Sequence, residues 1–146
     1  MLFLGTAQGM SIDGRIVPGY QAAAGNLAKQ LPLVQKEFQP VQGCHPGSIN
    51  VLLTCPLRIV DPDFTTSSIQ WDQNQYEKFN LTEVEFECPI GGWHYKAWIY
   101  DPHHSPHRFN DYITEVISRP ITGASYGVQC RIHLLRCKGL YGMVIV

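Results

Sequence analysis

Alternating apolar and polar positions along much of this 146-residue chain predict a mainly β protein. The segment Val84-Glu85-Phe86-Glu87-Cys88 has the period of a half-buried strand, and the aromatic-rich segment 93–100 follows it after Pro89-Ile90-Gly91-Gly92. Because aromatic residues favour strands and a Gly-Gly turn reverses the chain, these segments predict a hairpin. Further short strands are predicted at 2–4, 15–17, 48–53, 112–118, 129–135 and 141–146.

A single stretch, 22–38, has helical spacing, with apolar residues at Leu27, Leu31 and Val34. Pro32 is expected to break or kink this helix. The polar segment 61–80 is predicted to be a long irregular excursion. Many short strands separated by turn signals, without a repeat or a dividing linker, predict one small barrel domain over 1–146.

Composition narrows the class of protein. The chain is 45% hydrophobic and 16% charged, which is typical of a globular domain, and its net charge is −1. A basic patch, the usual mark of a nucleic-acid-binding protein, is missing from the sequence, so no nucleic-acid partner is expected. The apolar stretches are too short to span a bilayer, and no membrane partner is expected.

The five cysteines are scattered and contain no Cys-x-x-Cys pair, which argues against a disulfide framework or a structural zinc site. The first residues lack a basic region followed by a long apolar core, so they are not interpreted as a signal peptide. These features together predict a cytoplasmic protein.

The segment Pro46-Gly47-Ser48-Ile49-Asn50 is the most informative candidate site. Ser48 and Asn50 are two positions apart on a predicted strand, so their side chains lie on the same face. A hydroxyl and an amide oxygen are hard ligands of the kind that suit Mg²⁺ when phosphates and water complete its coordination. The alternative is a turn followed by two ordinary polar residues on a solvated strand face.

Three other segments carry candidate chemistry. The glycine-punctuated segment 5–14 is interpreted as a loop whose end, Asp13-Gly14-Arg15, can present N–H groups and a guanidinium to phosphate, although a plain hairpin turn is the alternative. The histidines at 103, 104 and 107, with His94 on the preceding strand, can bind zinc or nickel or simply form a solvated loop. Glu115 lies among strand residues, where its carboxylate can face outward or accept hydrogen bonds from a ligand.

Taken in order, these segments resemble the CTP-dependent riboflavin kinase family of archaea. The family has a Gly-rich loop ending in Glu-Gly-Arg, a helix, a Pro-x-Gly-Thr-Leu-Asn strand, a Pro-x-x-Thr loop and a Glu-Ile-Ile-Ala strand. The corresponding segments of this chain are Met10–Arg15, His45–Asn50, Pro102–Ser105 and Glu115–Ser118. After the last of these, Arg119-Pro120 stands where the family has a basic Leu-Arg element.

The resemblance implies a six-stranded cradle-loop barrel with one helix after the first loop, and transfer of phosphate from CTP to riboflavin to give FMN with Mg²⁺. Its small-molecule partners would be riboflavin or FMN and CTP or another nucleotide. By matching position, Ser48 and Asn50 would bind the metal, Ser105 and Glu115 would bind the flavin, and Asp13 and Arg15 would be the catalytic candidates. The nucleotide phosphates would be bound by Met10, Ser11, Ile12, Asp13, Gly14 and Arg15.

Two other functions stay open at this point. The first is a barrel that binds a flavin, a nucleotide or another small ligand without turnover. The second is a protein-interaction module, in which Trp71, Tyr76, Trp93 and Trp98 would form an exposed contact patch.

Overall fold

The computed structural model describes residues 2–6, 9–19, 26–104, 110–135 and 139–143, with only the backbone described for 2–6 and 139–143. Within this part of the chain, one α-helix, α1 (Asn26–Glu37), and a 3₁₀ turn (Gln39–Val41) accompany twelve strands. The strands are β1 (Leu2–Thr6), β2 (Ser11–Val17), β3 (Ile49–Leu53), β4 (Leu57–Ile59), β5 (Phe64–Thr65), β6 (Ile69–Asp72), β7 (Gln75–Glu77), β8 (Phe79–Cys88), β9 (Trp93–Pro102), β10 (Ile113–Ser118), β11 (Gln129–His133) and β12 (Gly139–Met143).

Six antiparallel strands close into a barrel in the order β11-β2-β3-β10-β9-β8, because β11 also pairs with β8. The predicted mainly β, six-stranded barrel with one helix is therefore confirmed. The β8–β9 hairpin is its longest pairing, with Phe79 opposite Pro102 at one end and Cys88 opposite Trp93 at the other. Outside the barrel, β1, β12 and β4 form a small sheet, and β6 and β7 form a hairpin.

The strands bury their two faces differently, and this divides the described core into two clusters. Ile12, Val51, Phe86 and Ile132 belong to the cluster that fills the barrel, together with Val116. Alternate residues of the same strands point outward, and part of that outer face is covered by α1. The residues buried between the helix and the barrel include Leu27, Leu31, Val34, Phe79, Leu81, Trp98, Tyr100 and Ile117.

Helix α1 continues through Pro32, so the expected break at this residue is wrong. Pro32 lies on the exposed side of the helix, where water can satisfy the carbonyl that loses its N–H partner. Leu27, Leu31 and Val34 are buried as their spacing predicts, and each such burial stabilises the fold by roughly 1.5–3 kcal/mol. The helix therefore packs firmly on the barrel despite its internal proline. Residues 22–25, the predicted start of the helix, lie outside the described residues.

Segment 61–80 is not the irregular excursion that its polarity predicts. It contains β5, the β6–β7 hairpin and the start of β8. Ile69 is buried beneath α1 and Trp71 packs at its edge, so the two apolar residues of β6 anchor the hairpin to the helix. Its polar residues lie mainly on the solvent side of short strands, which explains why the sequence pattern suggested a loop.

Within the part of the chain described here, no helix has the length and apolar character needed to cross a membrane.

Candidate functional site

Ser48, Asn50 and Glu115 come together on the outer face of the barrel. Asn50 on β3 lies directly opposite Glu115 on β10 and opposite Val17 on β2. Ser48 precedes β3 by one residue, and its hydroxyl lies near enough to the Glu115 carboxyl to lower its pKa. The structure therefore unites the two residues predicted to bind metal with one of the two predicted to bind flavin. We call Ser48, Asn50 and Glu115 the polar row.

Burial raises the pKa of Glu115 above its ordinary value of 4.5, and the negative charge of Asp101 raises it further, against the lowering effect of the Ser48 hydrogen bond. Tyr100 lies beside it, and its pKa is also raised, mainly by burial and then by the charges of Glu115 and Glu77. The Tyr100 hydroxyl donates to Gln30 Oε1 of α1 at 2.8 Å. Glu115 is therefore set in an environment that favours bound positive charge or a hydrogen-bond donor.

A cleft of about 450 Å³ opens on one side of the polar row, between α1, the β6–β7 hairpin and the end of β9. We call it the helix-side cleft. Its lining combines aromatic rings with polar groups and includes Gln30, Trp71, Tyr76, Tyr100, His104 and Glu115. Planar rings and a few convergent polar atoms are typical of a site for a flat, heteroaromatic ligand.

On the other side of the polar row is a groove of about 340 Å³, the loop-side groove, lined by Val17, Ser48, Asn50, Ser125 and Tyr126. It adjoins a depression of about 270 Å³ with which it shares Ser48, Ile49 and Ala124. His45 and Arg119 line that depression. Because a guanidinium is a strong ligand for phosphate, Arg119 is a candidate phosphate-binding residue that the sequence reasoning did not select. The signal that could have identified Arg119 from the sequence is its position directly after β10, the strand that carries Glu115.

The segment expected to bind phosphate is not a loop. Ser11–Val17 is strand β2, paired with β11 on one side through Arg15–Gln129 and with β3 on the other through Arg15–Leu52. Its backbone N–H groups therefore take part in the barrel, and Ile12 is buried inside it. The loop predicted at 5–14 is wrong for residues 11–14, which belong to β2, and the geometry gives no support to phosphate binding by the backbone of Met10–Arg15.

Asp13 lies apart from the polar row. It is four residues from Val17 along β2, about 13 Å in an extended strand. Its carboxylate accepts a hydrogen bond from Arg131 Nε at 2.6 Å on the neighbouring strand. Arg15 is closer, two residues from Val17 on the same outer face, and exposed. The structure therefore places Asp13 away from the polar row and Arg15 nearer to it.

The histidines near the end of β9 do not form one group with His94. Nine residues of β9 and its continuation, about 30 Å of extended chain, separate His94 from His103. His103 Nε2 lies 3.0 Å from Asn80 Oδ1, and His104 Nδ1 lies 3.1 Å from Glu77 Oε1. Ser105, the other predicted flavin ligand, and His107 lie outside the described residues.

The expected aromatic patch is also divided. Trp98 is only 6% exposed because it packs under α1, whereas Trp93 at the opposite end of the hairpin is 77% exposed. Trp71 and Tyr76 line the helix-side cleft instead. The four aromatic residues therefore do not make one contact surface.

No protein-family model matches this sequence. A search of curated proteins likewise finds no match. The resemblance to the riboflavin kinase family stays a prediction, and the candidate site is defined by its own geometry.

Proposed function

We propose that this chain is a magnesium-dependent phosphotransferase of the riboflavin-kinase type, which transfers a phosphate from CTP or another nucleotide to riboflavin to give FMN. The observation that carries the proposal is that Asn50, which lines the loop-side groove, lies directly opposite Glu115, which lines the helix-side cleft, so that the two clefts meet at the polar row. A reaction between two substrates needs such a junction, because the acceptor hydroxyl and the donor phosphate must meet in line.

The donor set at the junction fits Mg²⁺. Ser48 supplies a hydroxyl, Asn50 an amide oxygen on the same strand face, and Glu115 a carboxylate on the opposite strand. These are oxygen ligands, few enough to leave coordination positions for water and phosphate. Bound Mg²⁺ would neutralise phosphate charge and orient the group that is transferred.

The two clefts suit two different substrates. The aromatic residues and Gln30 of the helix-side cleft offer stacking surfaces and hydrogen bonds to a flavin ring. On the other side, Arg119 offers positive charge and His45 offers a ring N–H to a nucleotide's phosphates. In the reaction, the riboflavin 5′-hydroxyl would attack the terminal phosphorus, the bond to the leaving nucleoside diphosphate would break, and the hydroxyl proton would be released.

A second function, flavin or nucleotide binding without turnover, is favoured by one observation. The carboxylate predicted to act near the reacting groups, Asp13, is paired with Arg131 away from the polar row. A barrel that retained both clefts but lacked a base at the junction would bind its ligands without reaction.

Calorimetric titration with riboflavin, FMN, CTP and ATP, each with and without Mg²⁺, tests the proposal, together with detection of FMN formed by the mixture. The proposal expects FMN formation and nucleotide binding that Mg²⁺ strengthens. Ser48→Ala and Asn50→Ala should remove the Mg²⁺ effect, whereas Ser68→Ala, at an exposed serine outside both clefts, should retain it. Ligand binding without FMN formation would establish the second function, and binding of no ligand would reject both.

A further inference from the structure

A second group of chemically active side chains lies on the barrel face that α1 leaves uncovered. Glu85 and Glu87 on β8, His94 on β9 and His133 on β11 all point outward at neighbouring register positions. Glu87 lies opposite both His94 and Arg131, and Glu85 lies opposite His133. The pairing of three strands, rather than any local motif, therefore brings these residues together.

Three of these residues can each offer one ligand atom to the same metal ion. The ligand atoms of Glu85, His94 and His133 lie within 4.8 Å of one another. His94 Nδ1 faces Glu85 Oε1 in direct contact, and the two imidazole rings stack with centroids 5.3 Å apart. A tetrahedral zinc ion needs ligand atoms about 3.4 Å apart, a separation that small side-chain rotations can reach from here.

Glu87 is placed to orient both imidazoles. It is 5% exposed at its side chain, and its Oε1 lies 3.2 Å from His94 Nε2 and 2.8 Å from His133 Nε2. Its other oxygen, Oε2, accepts a hydrogen bond from the Gly91 N–H at 2.6 Å, which holds the carboxylate in place. For His94, whose Nδ1 faces Glu85, Glu87 is a buried carboxylate on the second ring nitrogen, the partner that metal-binding histidines usually have. The second nitrogen of His133, Nδ1, instead lies 2.5 Å from Ser11 Oγ.

The charges of the cluster favour a divalent cation. The cluster and its surroundings contain three carboxylates, those of Asp13, Glu85 and Glu87. Arg131 pairs with two of them, its Nε at 2.6 Å from Asp13 Oδ1 and its Nη1 at 3.6 Å from Glu87 Oε2. Lys96 lies opposite Glu85 on β9, but its ammonium group pairs with Glu83 at 3.0 Å. With neutral imidazoles, two negative charges are left over, which is the charge that a divalent ion supplies.

We propose that Glu85, His94 and His133 form a zinc site with an open coordination position, separate from the polar row and its magnesium. Two imidazoles and one carboxylate are borderline ligands that suit Zn²⁺ better than Mg²⁺. Three protein ligands leave the fourth position for water or for a ligand that binds from solvent, since His94 is about half exposed. The occupant is therefore a transition-metal ion, with Zn²⁺ the expected one.

Titration of the untagged full-length chain with Zn²⁺, followed by calorimetry and by the visible absorption of a Co²⁺ substitute, tests this site. We expect one ion per chain at neutral pH, nitrogen and oxygen coordination without a thiolate charge-transfer band, and no competition from Mg²⁺. Glu85→Gln and His133→Ala should each weaken Zn²⁺ binding at least about tenfold. If His133→Ala impairs folding, Glu85→Gln, the smaller change, still tests the site.

The matched control is His104→Ala, because His104 also pairs with a glutamate, Glu77, but lies outside the cluster. This variant should bind Zn²⁺ as the parent does. The site would be rejected by a parent chain that takes up no Zn²⁺, by variants that bind equally well, or by a Co²⁺ spectrum dominated by thiolate.

Discussion

Ser48 lies two residues before Asn50, the residue opposite Glu115 on the neighbouring strand, and its hydroxyl lowers the pKa of the Glu115 carboxyl. The pair joins the loop-side groove, which Ser48 lines, to the helix-side cleft, which Glu115 lines. A ligand that draws the Ser48 hydroxyl away changes the hydrogen bonding of Glu115, so binding in one cleft is coupled to the electrostatics of the other.

Replacing Glu115 with Gln should stabilise the protein at neutral pH. The folded-state pKa of Glu115 is raised by burial, so the folded state holds a proton more tightly than the unfolded state. The free energy of unfolding therefore falls as pH rises from the pKa of Glu115 in the unfolded state to its higher pKa in the folded state. The loss is about 1.4 kcal/mol for each tenfold difference in proton affinity between the two states. Gln at position 115 mimics the protonated form of Glu115, so the variant does not lose this stability as pH rises.

Urea unfolding of the parent and Glu115→Gln between pH 3 and pH 8 checks this prediction. The two proteins should have similar stability at the acid end and diverge as pH rises. Glu37→Gln, at an exposed carboxylate on α1, should show no such divergence in favour of the variant, since Glu37 accepts two hydrogen bonds from Ser67. A constant difference at every pH would mean that Glu115 is not destabilised by its charge.

Gly19→Ala should displace the Asn50 side chain. A Cβ at Gly19 would lie 2.3 Å from Asn50 Nδ2 and 2.8 Å from its Cγ, well inside van der Waals contact. Because the amide can rotate away, we expect a stability loss of only about 1 kcal/mol. The Mg²⁺ effect on nucleotide binding should nevertheless fall at least about tenfold, as measured by calorimetry.

A double-mutant cycle provides the control for Gly19→Ala. With Asn50→Ala in the same chain the clash disappears, so the double variant should be as stable as Asn50→Ala alone. Independent, additive losses in the double variant would show that Gly19 matters for its backbone and not for its contact with Asn50.

The variant Asp13→Asn tests whether Asp13 is catalytic, as the resemblance implies, or only pairs with Arg131, as the structure indicates. We expect ligand binding and FMN formation to be retained, because Asp13 contacts Arg131 rather than the polar row. The ion pair is partly exposed on both sides, so stability should fall by no more than about 1 kcal/mol in urea unfolding. A large loss of turnover in a stable variant would instead restore Asp13 as the general base.

The buried thiols should resist alkylation. Burial raises the pKa of Cys44 to about 11 and that of Cys130 to about 12, so at pH 8 their thiolates are at least about 100-fold scarcer than that of a free cysteine. Iodoacetamide labelling followed by peptide mass mapping should find Cys55, which is partly exposed, modified before either. All should react in urea; early labelling of Cys44 in the native protein would contradict its burial.

The sequence predicted the barrel well because strand alternation is a local signal. The sequence analysis misassigned Gly14 because a glycine can mark either a turn or a place where two strands pack closely. A Cβ at Gly14 would lie 2.6 Å from Val51 Cγ1 and 2.8 Å from the Leu52 carbonyl, so this glycine permits close packing of two strands. Because Gly14 was interpreted as a turn residue, a phosphate-binding loop was predicted where the structure has the middle of β2.

Sites that depend on strand register were harder to predict. Ser48 and Asn50 were found because they are neighbours in sequence. Glu115 was found as a carboxylate among strand residues, and the resemblance supplied its expected role in flavin binding. The Glu85–His94–His133 cluster depends on β11 pairing with β8, which closes the barrel between segments far apart in the chain. The sequence instead grouped His94 with histidines at the other end of its strand, since only sequence distance was visible.

Closure of the barrel also constrains the order in which the chain can fold. Strand β2, at 11–17, is synthesised more than 100 residues before one of its two partners, β11, at 129–133. Until β11 has emerged from the ribosome, β2 and β8 each present an unpaired edge to the surroundings. Such distant pairing makes folding slow relative to proteins dominated by helices, and the nascent chain has to be protected from self-association until β11 is available.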